Sequence, residues 1–131
     1  MPESPVRELR LAYTVEDYEG AVRFYRDALG LPVIQEWEQP AGSGAILDAG
    51  RATIELLSVS QSELVDRIEV GEVVSGPVRL ALEVEDSEET ASALASAGAQ
   101  KIGGPVITPW SHKNVRLRAP DGMQLTLFTV L

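Results

Sequence analysis

Two arginines occupy equivalent places in this chain of 131 residues. Arg10 opens "RLAYTVED" and Arg79 opens "RLALEVED", octapeptides 69 residues apart that agree at six of eight positions. A guanidinium stays charged at any physiological pH and offers five donors in a planar fork, which suits carboxylate, phenolate or phosphate oxygens. Glu83 shares the face of Arg79 further along the same segment, and Glu55 stands in "ATIELL". Burial would raise the pKa of either carboxylate and equip it to move a proton. His112 is the only histidine, and Trp37 and Trp110 are the only tryptophans. A rigid indole can stack on a flat ligand, or it can cover core or a subunit contact.

Other chemistries lack their residues. Without cysteine there is no thiolate nucleophile, thiolate metal site or disulfide. Phosphate-binding loop, dinucleotide glycine pattern and nucleophile elbow are all missing, and "AGSGA" reads as a hairpin loop. No serine stands beside His112 at a spacing that would build a triad. The net charge of −9 comes with no basic patch, which argues against nucleic acid and anionic membrane as partners. No leader-like start or long apolar run interrupts the chain, so a cytoplasmic setting is expected.

Alternation positions these groups. Leu9, Leu11, Tyr13 and Val15 alternate with Arg10, Ala12 and Thr14; Val78, Leu80, Leu82 and Val84 alternate with Arg79, Ala81 and Glu83 in the same phase. A period of two is that of a strand. Each run meets an aspartate able to cap a helix. After Asp17 the apolar stripe is Ala21, Phe24, Tyr25, Ala28 and Leu29, ended by Gly30; after Asp86 it is Ala91, Leu94 and Ala95, ended by Gly98. Strand-like segments follow each helix: "PVIQEW", "AILDA" and "RATIELLSV" in the first half, "KIGGPVI", "KNVRLR" and "MQLTLFTV" in the second. "TPWS" and the "APDG" stretch, with Asp121 and Gly122, read as turns.

Each half therefore reads as a βαβββ module. Module one covers about 6–59 and module two about 77–130, while the acidic stretch 60–76 joins them with a turn or two of helix. Neither half is large enough to bury a core alone, so 1–131 is expected to form one pseudo-symmetric α+β domain. If the apolar alternates pack under the helices, the opposite face carries Arg10, Ala12, Thr14, Arg79, Ala81 and Glu83. The closing strands add Thr53, Glu55 and Leu57, and Gln124, Thr126 and Phe128, to that face.

"VEDYEGAVRFYRDALGLPV" and "NVRLRAPDGMQLTLF" resemble the first-helix signature and the closing hairpin of the vicinal oxygen chelate superfamily, the glyoxalase, bleomycin-resistance and dioxygenase group. The resemblance spans about residues 6–130. It implies paired βαβββ modules whose curved mixed sheets surround a cleft, commonly assembled as a homodimer. Metal-dependent members hold a divalent ion with one side chain from the first and one from the last strand of each module. Counted from "VED", the first-strand positions fall on Arg10 and Arg79, and the last-strand positions on Glu55 and Thr126. A guanidinium has no lone pair to offer a metal, so no metal and no other cofactor is expected. A relocated site made of Glu55, Glu83 and His112 would need an unusual geometry.

Two readings of the arginines stay open. In one, Arg10 or Arg79 pairs with Glu55 or Glu83 and fills the vacated metal position; in the other, one arginine stays available for a ligand anion. The residues expected at a ligand are Arg10, Ala12, Thr14, Trp37, Glu55, Leu57, Arg79, Glu83, Trp110, His112, Thr126 and Phe128. The function expected is metal-free binding of a small molecule, an antibiotic, xenobiotic or aromatic compound, as in sequestration by bleomycin-resistance proteins. The alternative is a lyase, isomerase or dioxygenase-like enzyme working without the metal tetrad, with Glu55 or Glu83 as base and arginine stabilising an oxyanion.

Overall fold

The computed structural model describes residues 5–28, 30–120 and 122–131, with the backbone alone of Phe24 and Ala28. Leu29, the side chains of Phe24 and Ala28 in the first helical stripe, and the turn residue Asp121 lie outside the described residues. Strand β1 (Val6–Thr14) leads into α1 (Tyr18–Arg23), which runs on as a π-helical turn over Phe24–Ala28. Strands β2 (Val33–Gln39), β3 (Gly42–Asp48) and β4 (Thr53–Leu57) complete the first half. After α2 (Val59–Glu69), the second half repeats the pattern with β5 (Val78–Val84), α3 (Ser87–Ser96), β6 (Gln100–Ile107), β7 (His112–Arg118) and β8 (Gln124–Val130). The aspartates act as read from the sequence: Asp17 Oδ1 accepts from the N–H of Gly20, and Asp86 Oδ1 from that of Glu89.

The two halves share one curved, mixed, eight-stranded sheet in the order β2-β3-β4-β1-β5-β8-β7-β6. The seam is the duplicated octapeptide paired with itself, since β1 and β5 run antiparallel with Arg10 opposite Ala81 and Ala12 opposite Arg79. Each long guanidinium thus faces the alanine of the other copy, which leaves room for it. On one face, α1 covers Val22, Ala45, Leu47 and Leu56, with Tyr13 and Val15 packed alongside. On the same face α3 covers Val84, Ala91, Val115, Leu117 and Leu127, with Leu82 and Leu94 beside them. Tyr13, Val15, Leu82 and Val84 of the apolar alternates join these clusters, as a period of two allows, whereas Leu9 is exposed.

The joining stretch departs from expectation. It holds a helix of 11 residues, about three turns, lying on the opposite face and packed against β3, β4, β6 and β7. Ser58 starts it by accepting from the N–H of Gln61. Two glycines let it approach the sheet. A Cβ on Gly42 would come within 2.6 Å of the Gln61 backbone, and one on Gly103 would overlap the carbonyl oxygen of Glu69. Among the described residues, no helix is long and apolar enough to cross a membrane.

Candidate ligand-binding cleft

Between α2 and the sheet face opposite α1 and α3 lies a cleft of about 440 Å³. Its floor comes from the seam and closing strands, with Arg10, Glu55, Leu57, Arg79, Ala81, Thr126 and Phe128. Gln61, Leu64, Val65, Ile68 and Glu69 line it from α2, one stripe at the spacing of a helix face. Trp37 of β2 and Trp110 of the turn before β7 contribute the two indoles. Trp37 lies against Gly44, its cross-strand partner, where any Cβ would run into the ring. "AGSGA" is therefore mostly strand, its glycines making room for α2 and for Trp37. Trp110 keeps 40% of its surface exposed.

Nine of the residues expected at a ligand line this cleft: Arg10, Trp37, Glu55, Leu57, Arg79, Trp110, His112, Thr126 and Phe128. Three do not. Ala12 is buried beneath the floor, flanked across the strands by Glu55 and Arg79. Thr14 ends β1 opposite Leu57, its N–H bonded to the Pro77 carbonyl. Glu83 sits opposite Glu8 on one side and Phe128 on the other, beyond the floor. Strand phase settles which face a side chain takes but not how far along the strand a cleft reaches. Glu55 is left as the candidate carboxylate of the floor.

Of the two readings left open for the arginines, pairing with Glu55 or Glu83 is not what the described residues show. Arg10 Nε donates to Glu8 Oε1 at 3.1 Å, two residues away on the same strand face, and its guanidinium lies 4.8 Å over the Phe128 ring. His112 stacks on the same ring, centroid to centroid 5.0 Å. Arg79 Nη1 donates to Thr126 Oγ1 at 2.7 Å. Among the described residues, neither arginine forms an ion pair with Glu55 or Glu83. Glu55 and Arg79 face each other across Ala12, roughly 10 Å apart between Cα atoms at the usual strand spacing. Burial pushes the Glu55 carboxyl above its ordinary range; the charges of Arg79 and Arg10 oppose the rise, and those of Glu69 and Glu8 add to it. Burial lowers the His112 imidazole, with the Arg10 charge acting in the same direction.

Arg116 was no candidate in the sequence, yet it anchors the inner end of α2 and is fully buried. Its Nη1 donates to Asp66 Oδ1 and Ser75 Oγ, both at 2.9 Å, and its Nε to Glu69 Oε1 at 3.0 Å. Burial alone would raise Asp66, but bonds from the Ser75 side chain and from the Ser75 and Val74 backbone, with Arg116, hold it below its usual range. Glu69 Oε1 also accepts from Thr126, and Oε2 from Asn114 Nδ2 at 2.9 Å. Removing one member of such a buried set strands the other charges, which is far costlier than the set is worth as a whole.

The donor set does not fit a divalent cation. Of the four positions the resemblance implies, two are guanidinium groups, and the Thr126 hydroxyl already receives two donors and gives its proton to Glu69. Glu55 alone could ligate. Among the described residues, no three histidine, aspartate or glutamate side chains converge as a metal site would need.

The model of the Glyoxalase/Bleomycin resistance protein/Dioxygenase superfamily matches residues 9–127. An uncharacterized protein of Bacillus subtilis, YraH, is 28% identical over 127 residues, covering 94% of this chain and 98% of the relative. Among solved structures, hypothetical protein BH1468 from Bacillus halodurans C-125 aligns with a TM-score of 0.68 at 22% identity, covering 93% of this chain and 92% of that one. Methylmalonyl-CoA epimerase from Mycobacterium tuberculosis aligns with a TM-score of 0.70 at 19% identity, covering 100% and 93%. At such identities these likenesses speak for the fold alone.

Proposed function

The chain belongs to the glyoxalase/bleomycin resistance protein/dioxygenase superfamily, and from that premise we propose that it binds a small, flat organic molecule without a metal, as a sequestering protein does. One observation carries the reading. The chain walls its own cleft on both sides, with an apolar helix face and two indoles opposite a floor that holds a few fixed polar groups. Small-molecule sites have this composition, and a volume of about 440 Å³ lies in their usual range. The proposal includes a homodimer working in the cytoplasm, with neither nucleic acid nor membrane as partner.

Both tryptophans line the cleft, so intrinsic fluorescence reads it directly. Planar compounds of every charge type should include some that quench this emission and raise the melting temperature. Saturation at 100 times the dissociation constant adds about 2.7 kcal/mol of stability. Ile68→Arg, at a half-buried position facing the cleft, should abolish both signals. Absence of any responding compound, or equal binding by the variant, would reject the reading.

A second reading, turnover, draws support from Glu55. Its raised carboxyl across Ala12 from Arg79 suits a base working beside an oxyanion stabiliser. If a bound compound is converted, Glu55→Gln should stop conversion and keep binding. The epimerase likeness, at 19% identity, lends this reading nothing beyond the fold.

A further inference from the structure

Two buried groups turn toward the cleft with hydrogen-bonding capacity left over. Arg79 is only 6% exposed, yet among the described residues its side chain makes one hydrogen bond, to the neutral hydroxyl of Thr126. Of the neighbouring acids, Glu8 holds Arg10, and Asp66 and Glu69 hold Arg116, while Glu55, across Ala12, forms no ion pair with Arg79 among the described residues. Asn114 is 3% exposed and gives its amide N–H to Glu69 Oε2. A carboxylate only accepts, so the amide nitrogen must face it and Oδ1 must point away. That oxygen has no partner among the described residues. Both residues line the cleft, and both hang on Glu69, Asn114 directly and Arg79 through Thr126. Polar groups this deeply buried are almost always paired in a folded protein.

Resting on the reading of the cleft as a small-molecule site, we infer that its ligand is a planar organic anion that also carries a hydrogen-bond donor, the anion meeting Arg79 and the donor meeting Asn114 Oδ1. A hydroxy- or amino-substituted aromatic carboxylate is the class this describes. An anion completes the guanidinium fork with charge-assisted bonds. A cation would find two of the nearby carboxylates already bound by Arg116 and one by Arg10, whatever the net charge of the surface. Glu55 lies across Ala12 from Arg79 without pairing to it, and burial works against its charged form.

The test titrates the wild-type protein by tryptophan fluorescence with 3-hydroxybenzoate, 4-hydroxybenzoate, benzoate, benzamide and benzamidine. Benzoate should bind at least tenfold tighter than benzamide, and one hydroxybenzoate tighter than benzoate, with benzamidine weakest. Arg79→Gln should erase the acid–amide difference while Arg79→Lys keeps its sign. Asn114→Leu should erase the hydroxyl preference and leave the acid–amide difference intact. The wild-type comparisons need no variant, so a misfolded substitution does not blunt the test. Equal binding of acid and amide, preference for benzamidine, or an unchanged difference in Arg79→Gln overturns the ligand class and leaves the cleft reading standing. If no compound of any charge perturbs the emission, the cleft reading fails and takes this inference with it.

Discussion

Glu55 is the one carboxylate on the cleft floor without an ion pair among the described residues, and its cost is a matter of pH. Burial raises its folded-state pKa above the ordinary value of 4.5. Between those two values the folded chain binds more protons than the unfolded one, so stability falls as pH rises through the folded pKa. Below the ordinary value the side chain is protonated in both states and the penalty vanishes. Glu55→Gln should therefore raise the melting temperature at about pH 8, with the gain shrinking to nothing near pH 4. Melting curves across that range check it, and a pH-independent gain would contradict it. Glu55, Arg10 and Arg79 were legible in the sequence because alternation assigns them a common face. Arg116 was not, because "KNVRLR" alternates in the same way whether its polar face meets water or a buried carboxylate. Only the helix lying over it distinguishes the two.

That helix is the element whose length the sequence understates, at a turn or two against 11 residues, and the reason is compositional. The stretch 60–76 is acidic and rich in polar residues, and only Leu64, Val65 and Ile68 mark an apolar face. A local signal was present. "SVSQ", residues 58–61, has the spacing of a capping box, and Ser58 Oγ does receive the Gln61 N–H. The docking of α2 has no signal of its own, since Gly42 reads as hairpin punctuation and Gly103 as part of a strand until the helix is seen above them. Gly103→Ala should push the C-terminal turn of α2 off β6 and cost about 1–3 kcal/mol, the usual penalty for overfilling a packed contact. Urea denaturation measures the loss. The same variant should bind cleft ligands more weakly, because α2 forms one side of the cleft. The strands, by contrast, were legible close to their observed positions, as a period of two survives any tertiary setting that buries one face, except that Gly42–Gly44 of β3 read as a loop.

The whole molecule consists of two half-cores joined through one seam and one helix. β1 and β5 pair along most of their length, and α2 packs against strands of both halves. Neither half should persist without the other, so unfolding should be a single transition. Trp37 lies in the first half and Trp110 in the second. Trp37→Phe and Trp110→Phe therefore leave one indole each, and their urea transitions should coincide at equal stability; separated midpoints would show the halves melting independently. The duplication was plain in the sequence, but its breaking was not. A doubled chain has two copies of every element except the one that joins them. The sheet alone could offer two equivalent seats related by the dyad of the seam, with Arg10 in one and Arg79 in the other. A lone joining helix can close over that axis only once, and among the described residues Arg10 is matched with the Glu8 carboxylate while Arg79 has only the Thr126 hydroxyl. If the proposed ligand binds, the stoichiometry that follows is one per chain, held off-centre in a scaffold with two matching halves.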